Sequence, residues 1–154
     1  MSYDQLLLII HIVAATAWIG GNLFISIVYA PRALKSKSPA FINNFSNYEI
    51  IGLPALIVSL LTGIGMSYRR GIGIDQWFHF QNPMEGTISI KLLIFIVMSI
   101  LIIFAKTTII PKLKRHDVKQ LPASIAYIAT LTLMGLLFLI IGTYLRYGGL
   151  LLFN

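Results

Sequence analysis

The stretch Ile10-His11-Ile12-Val13-Ala14-Ala15-Thr16-Ala17-Trp18-Ile19-Gly20-Gly21 decides how this chain is read. It lies inside an apolar run from about Gln5 to Ala30, long enough to cross a bilayer as one helix. His11 then falls roughly 9 Å inside the helix start, at 1.5 Å rise per residue. At about 100° per residue, His11, Trp18, Asn22 and Tyr29 share one face, with Ala15 beside them. Lipid does not reward a polar-aromatic stripe, so the stripe is expected to face a protein interior. An ionisable residue at that depth is a functional-site candidate. The plainer alternative is a histidine that only hydrogen-bonds a neighbouring helix.

Composition supports the membrane reading. Of 154 residues, 57% are hydrophobic and 11% charged, and the mean hydropathy is +0.84. A water-soluble domain of this size needs a more polar shell. The length suits a single transmembrane domain over residues 1–154. The absence of cysteine removes disulfides, thiolate metal sites and cysteine nucleophiles together. The net charge of +7 sits beside hydrophobic spans, where anionic headgroups and topology account for it better than nucleic acid. No basic n-region precedes the first span, which reads as retained rather than as a signal peptide.

Four spans are expected, at about 5–30, 50–68, 88–110 and 121–145, giving an all-α, four-helix membrane bundle. Pro31-Arg32 is expected to stop the first, Arg69-Arg70-Gly71 the second and Pro111 the third. No internal repeat stands out beyond the general similarity of apolar helices. Arg32, Lys35, Lys37, Lys112, Lys114, Arg115 and Lys119 fall in the first and third loops. Only Arg69, Arg70 and Arg146 fall on the other side, a bias of seven to three. The positive-inside rule then puts both termini outside the cytoplasm, in a cytoplasmic (inner) membrane of bacterial type.

The first loop, Pro31 to Glu49, reads as a polar connection. In the second span Gly52, Ser59 and Gly63, flanked by Ala55, form a small-residue face for close helix approach, and Pro54 is placed in its first turns. The second loop carries Trp77-Phe78-His79-Phe80 after Asp75-Gln76, read as an interfacial aromatic anchor or as a lid over the bundle mouth. Lys91 opens the third span at nearly the depth of His11, either snorkelling outward or turned inward. Lys106 reads as an ordinary flank. Tyr127, Met134 and Tyr144 recur near one face of the fourth span, and Arg146 follows at its edge.

Depth sorts the candidate ligands. His11, His79 and Lys91 share the extracytoplasmic end, whereas His116 belongs to the opposite loop and cannot reach the same ion. Asp4, Glu49, Asp75, Glu85 and Asp117 are all expected outside the membrane core. What remains inside is histidine, lysine, tyrosine and tryptophan, an inventory suited to a heme or a quinone rather than to hydrolysis.

His11, Ala14-Ala15, Trp18 and Gly20-Gly21, with Ile90-Lys91-Leu92-Leu93 and Pro111-Lys112-Leu113, resemble the CopD family of membrane proteins, which is associated with copper resistance. The same His-then-Lys arrangement is similar to the HemJ-type protoporphyrinogen oxidases, which are associated with heme b. The resemblance implies a four-helix bundle in which His11 and Lys91 match the relatives' functional His and Lys. The first expectation is a heme b redox protein working with a quinol or porphyrinogen. In it His11 is an axial ligand, His79 its candidate partner, Lys91 and Arg146 pair with carboxylates, and Trp18 and Tyr144 line the pocket. The alternatives are copper transport, with Met84 and His79 at an entry site, and a cofactor-free subunit that anchors a larger complex or self-associates.

Overall fold

The computed structural model describes residues 2–37, 40–114 and 118–150, with side chains except at 40–46, 113–114 and 118. The described chain is helical, and four helices are long and apolar enough to cross a membrane. Helix α1 is continuous over Tyr3–Ser36, α2 spans Ala40–Arg69, α3 runs from Pro83 to Lys114 and α4 covers Leu121–Tyr144. The all-α multi-pass membrane architecture is as expected.

Local chemistry sets the helix starts. Ser2 accepts from the Gln5 backbone N–H at 3.2 Å, while the Gln5 side chain accepts from the Ser2 N–H at 2.9 Å. This reciprocal box satisfies two of the orphan donors at the start of α1. Asn82 does the same work for α3, accepting from the Glu85 N–H at 2.9 Å. Pro83 then occupies a first-turn position, where its missing N–H costs nothing. Helix α1 ends at Lys37, whose φ of 48° is left-handed.

The prolines do not stop the first and third helices. Each helix widens into a π-type segment, Ile25–Tyr29 and Ala105–Ile109, before its proline. There the Ala30 N–H bonds to the Ile25 carbonyl and the Ile110 N–H to the Ala105 carbonyl, five residues back. A widened turn changes the bonding register where Pro31 and Pro111 offer no donor, so the helix continues past them. Most of the polar loop expected after Pro31 is therefore helix. Pro54 likewise lies well inside α2 rather than in its first turns, because α2 begins at Ala40.

The π segments expose an internal repeat that the sequence reading passed over. Tyr3–Phe24, Ile25–Tyr29 and Ala30 onward recur as Pro83–Phe104, Ala105–Ile109 and Ile110 onward, every start displaced by 80 residues. The same displacement relates the caps Ser2 and Asn82, their partners Gln5 and Glu85, the prolines 31 and 111, and His11 and Lys91. The chain is thus two parallel helical hairpins, α1–α2 and α3–α4. Apolar residues at the other equivalent positions differ freely, which hid the repeat.

Packing is closest between α1 and α2, with α4 filling between α1 and α3. Gly21 leaves the space that the Tyr48 ring occupies. Trp18, Ile25, Met98, Ala105, Ile128 and Leu131 form the buried centre. Ile27, Leu61, Ile103 and Leu133 point outward, more than half exposed, as a lipid-facing surface requires. Inside a bilayer, close fit and interhelical hydrogen bonds rather than water exclusion hold such helices together.

Candidate functional site

A cavity of about 70 Å³ lies at the end of the bundle where α1 and α3 begin, lined by His11, Ser59, Gly63, Trp77, Lys91 and Phe138 among others. Its walls are mostly apolar, with Leu60, Ile64, Ile88, Leu92 and Phe95. His11 and Lys91 both reach it. The inward alternative for each therefore holds, and Lys91 does not snorkel away.

The His11 ring is held in one tautomer. Its Nδ1 lies 2.9 Å from the Ser59 carbonyl oxygen and 3.0 Å from Thr62 Oγ1. A carbonyl only accepts, so Nδ1 carries the proton and donates. Thr62 directs its own hydroxyl to the Val58 carbonyl at 2.7 Å, leaving its oxygen free to accept from Nδ1. In the neutral ring Nε2 therefore keeps its lone pair. Among the described residues Nε2 has no hydrogen-bond partner, and it is not among the sealed, unsatisfied atoms. Gly63 makes the arrangement possible, since a Cβ there would come within 3.3 Å of His11 Cε1.

Lys91 is positioned by α4. Its Nζ stands 4.3 Å from the centroid of the Phe138 ring, a cation–π contact. A Cβ on Gly142 would come within 3.2 Å of that nitrogen. The ion pairs among the described residues are Arg69 with Asp4 and Lys106 with Glu49, so no carboxylate there neutralises Lys91. Gly63 against His11 and Gly142 against Lys91 are similar contacts of the two hairpins, although the glycines are 79 rather than 80 residues apart.

The loop between α2 and α3 closes one side of this cavity. Trp77 lines it, and its Nε1–H is the one buried side-chain polar atom without a partner among the described residues. The loop is tied down by the Phe78 N–H donating to Ser89 Oγ at 3.0 Å and by Ser67 Oγ donating to the Ile72 carbonyl at 2.7 Å. Phe78 and Phe80 both take positive φ, 68° and 56°. The C-terminal segment docks on the same edge, the Leu150 N–H donating to Thr87 Oγ1 at 2.7 Å. Trp77 thus covers one side of the cavity, while His79 and Phe78 are exposed.

The other expected site residues are not brought together. His79 is exposed on the loop and does not line the cavity. Tyr144 is 45% exposed, and Arg146 is exposed beyond the end of α4. Trp18 is buried, but it lines two smaller spaces of about 20 Å³ each, deeper in the bundle. His116 and Asp117 lie outside the described residues. Ser59, Thr62, Gly63, Trp77, Phe138 and Gly142 complete the site instead. Of these, Ser59 and Gly63 left a trace in the sequence as members of the small-residue face, and Trp77 as part of the aromatic second loop.

The opposite half of the bundle holds a polar cluster that corrects the placement of Glu49. It lines the deeper space with Asn22, Tyr48 and Tyr127, and its carboxylate lies 3.7 Å from Lys106 Nζ. Glu49 therefore belongs to α2 rather than to the first loop. Tyr48 donates to the Trp18 carbonyl, and Asn22 Nδ2 donates to that same carbonyl at 2.9 Å and to Tyr48 Oη at 3.2 Å. Glu85, in the first turn of α3, is 5% exposed and accepts from the Gln81 N–H at 3.3 Å.

No group of three or more His, Cys, Asp or Glu side chains converges on a metal-sized position among the described residues. No family model, no curated protein and no solved structure matches this chain.

Proposed function

We propose that this chain is a multi-pass membrane redox protein that engages its redox-active ligand through His11 Nε2. The observation that carries the proposal is the imidazole itself. Its Nδ1–H is committed to the Ser59 carbonyl, and its Nε2 lone pair is left available at a cavity that also holds an ammonium. A histidine prepared in this way coordinates iron or accepts a proton from a bound hydroxyl.

Heme b is the ligand that the resemblance implies, and the site fits it in part. The fixed tautomer suits an axial ligand, and Lys91 suits a carboxylate side arm. The space does not suit the macrocycle. At about 70 Å³ it takes about five water molecules, and four pyrroles exceed it. The exposed His79 contributes no second nitrogen to it. Heme on His11 is retained as the second reading, supported by the tautomer alone. Copper delivery gains nothing comparable, since neither Met84 nor His79 lines the cavity and Met98 is enclosed in the core at 1% exposure. The charge bias supports an orientation with this cavity toward the outside of a bacterial-type cytoplasmic membrane.

The test is the absorption spectrum, metal content and quinone content of protein purified in lipid nanodiscs. Wild-type protein should carry a redox-active ligand whose spectrum changes between oxidised and reduced states. His11→Ala should lose it while retaining its helical content. Protein that carries no such ligand and takes none up from added heme or quinone would remove the proposal.

A further inference from the structure

We infer that the cavity between α1 and α3 binds the ring of a para-quinol, spanning from His11 to Lys91. The inference rests on the redox reading above and names the class of ligand for that same site.

Three features of the cavity point to this class. The first is the repeat. His11 and Lys91 hold equivalent positions in the two hairpins, each set against a glycine of the helix that follows it, Gly63 or Gly142. Helices α1 and α3 do not pack along each other, so these two residues address the cavity from different walls. A ligand held by both needs a polar atom at each end and an apolar body between. A para-quinol ring has that form, and Leu60, Ile64, Phe95 and Phe138 supply apolar walls for the ring.

The second feature is polarity. Neutral His11 offers an acceptor at Nε2, because Nδ1 already donates to Ser59. Lys91 offers only donors, and no described carboxylate competes for them. The ligand must therefore donate at one end and accept at the other. A quinol hydroxyl does the first, and its opposite oxygen does the second. The oxidised quinone lacks the donor and would set a carbonyl oxygen against the Nε2 lone pair. One hydrogen bond fewer corresponds to about tenfold weaker binding. The site is thus built to prefer the reduced form.

The third feature is Trp77. A buried N–H without a partner is costly, and each such atom calls for an explanation. Trp77 lines this cavity, but its orphan Nε1–H is sealed from it, so a ligand oxygen removes the deficit only once the indole turns toward the cavity on binding. A phospholipid headgroup fits less well, because it would bring anionic oxygens against the Nε2 lone pair and the apolar walls.

The indole also makes the proposal measurable, since Trp18 and Trp77 are the two tryptophans of the chain. Full-length protein in nanodiscs is titrated with duroquinone, a quencher of indole fluorescence. The Trp77 signal is taken as the difference between wild type and Trp77→Phe. Saturable quenching is expected, with durohydroquinone displacing the quinone at about tenfold lower concentration. Durene, the same ring without oxygens, should not displace it. Lys91→Met should weaken binding about tenfold or more. The competition on wild-type protein stands even if that variant fails to fold.

Quenching that never saturates, that durene reverses as well as durohydroquinone does, or that a folded Lys91→Met variant leaves unchanged overturns the quinol assignment. If heme is then found on wild-type protein and lost from His11→Ala, the redox reading survives with a different ligand. If neither ligand is found, both readings fall.

Discussion

Replacing Gly21 by alanine should destabilise the bundle sharply, whereas the same change at its neighbour Gly20 should not. A Cβ on Gly21 would lie 2.6 Å from Tyr48 Cζ and closer still to the ring edge. Real Cβ atoms do not sit so near, so the phenol ring has to move. Moving it breaks the bond from Tyr48 to the Trp18 carbonyl and the contact from Asn22 Nδ2 at 3.2 Å. Each buried hydrogen bond is worth about 1 kcal/mol net, and forced repacking costs about 1–3 kcal/mol more. The better helix propensity of alanine returns at most about 1 kcal/mol. The net loss is about 2–4 kcal/mol, or about 4–16 °C in Tm for a chain of this length. At Gly20 nothing lies within 4 Å of the added methyl, and alanine there should be neutral or slightly stabilising. Thermal unfolding in detergent, followed by the fluorescence of Trp18 beside Tyr48, reads both variants. A Gly21→Ala protein that melts with wild type would refute the α1–α2 interface described above.

Two further outcomes follow from the ends of the helices. Arg69 and Asp4 form an ion pair at 2.7 Å with side chains 58% and 59% exposed, so Arg69→Ala should lower the melting temperature only slightly, as read by thermal unfolding in low and high salt, with the difference shrinking in salt. Thr87 is fully buried, and its hydroxyl donates to the Pro83 carbonyl at 2.6 Å while accepting from the Leu150 N–H. Thr87→Val strands that N–H and should cost about 1–3 kcal/mol, with faster hydrogen exchange at Leu150 as the local readout; unchanged exchange would count against the docked C-terminal segment.

How much of the site was legible beforehand differs residue by residue. The stripe of His11, Trp18 and Asn22 was visible because helical periodicity is local, and the structure does turn it inward. For Lys91 the sequence left snorkelling and inward placement equal. The choice falls to Phe138 and Gly142, which lie about fifty residues further on and belong to another helix. For Trp77 the sequence left anchor and lid both open, because three aromatics in four residues look alike whether they face headgroups or a cavity. The repeat escaped notice because a bilayer accepts any apolar residue at most equivalent positions, leaving only caps, prolines and the His/Lys pair to mark it. Glu49 reads as loop because α2 starts at Ala40, in a polar stretch that hydropathy does not mark as a span.

The sequence by itself determined four apolar spans and an ionisable residue within reach of the interior. Hydropathy sums along the chain, and burying charge in hydrocarbon is costly whatever the fold. Only the tertiary structure decided what His11 can do. Its tautomer depends on a carbonyl 48 residues away, and its companion in the cavity is set by how two hairpins face each other. Contacts between helices depend on relative rotation, which the pattern within any one helix does not encode.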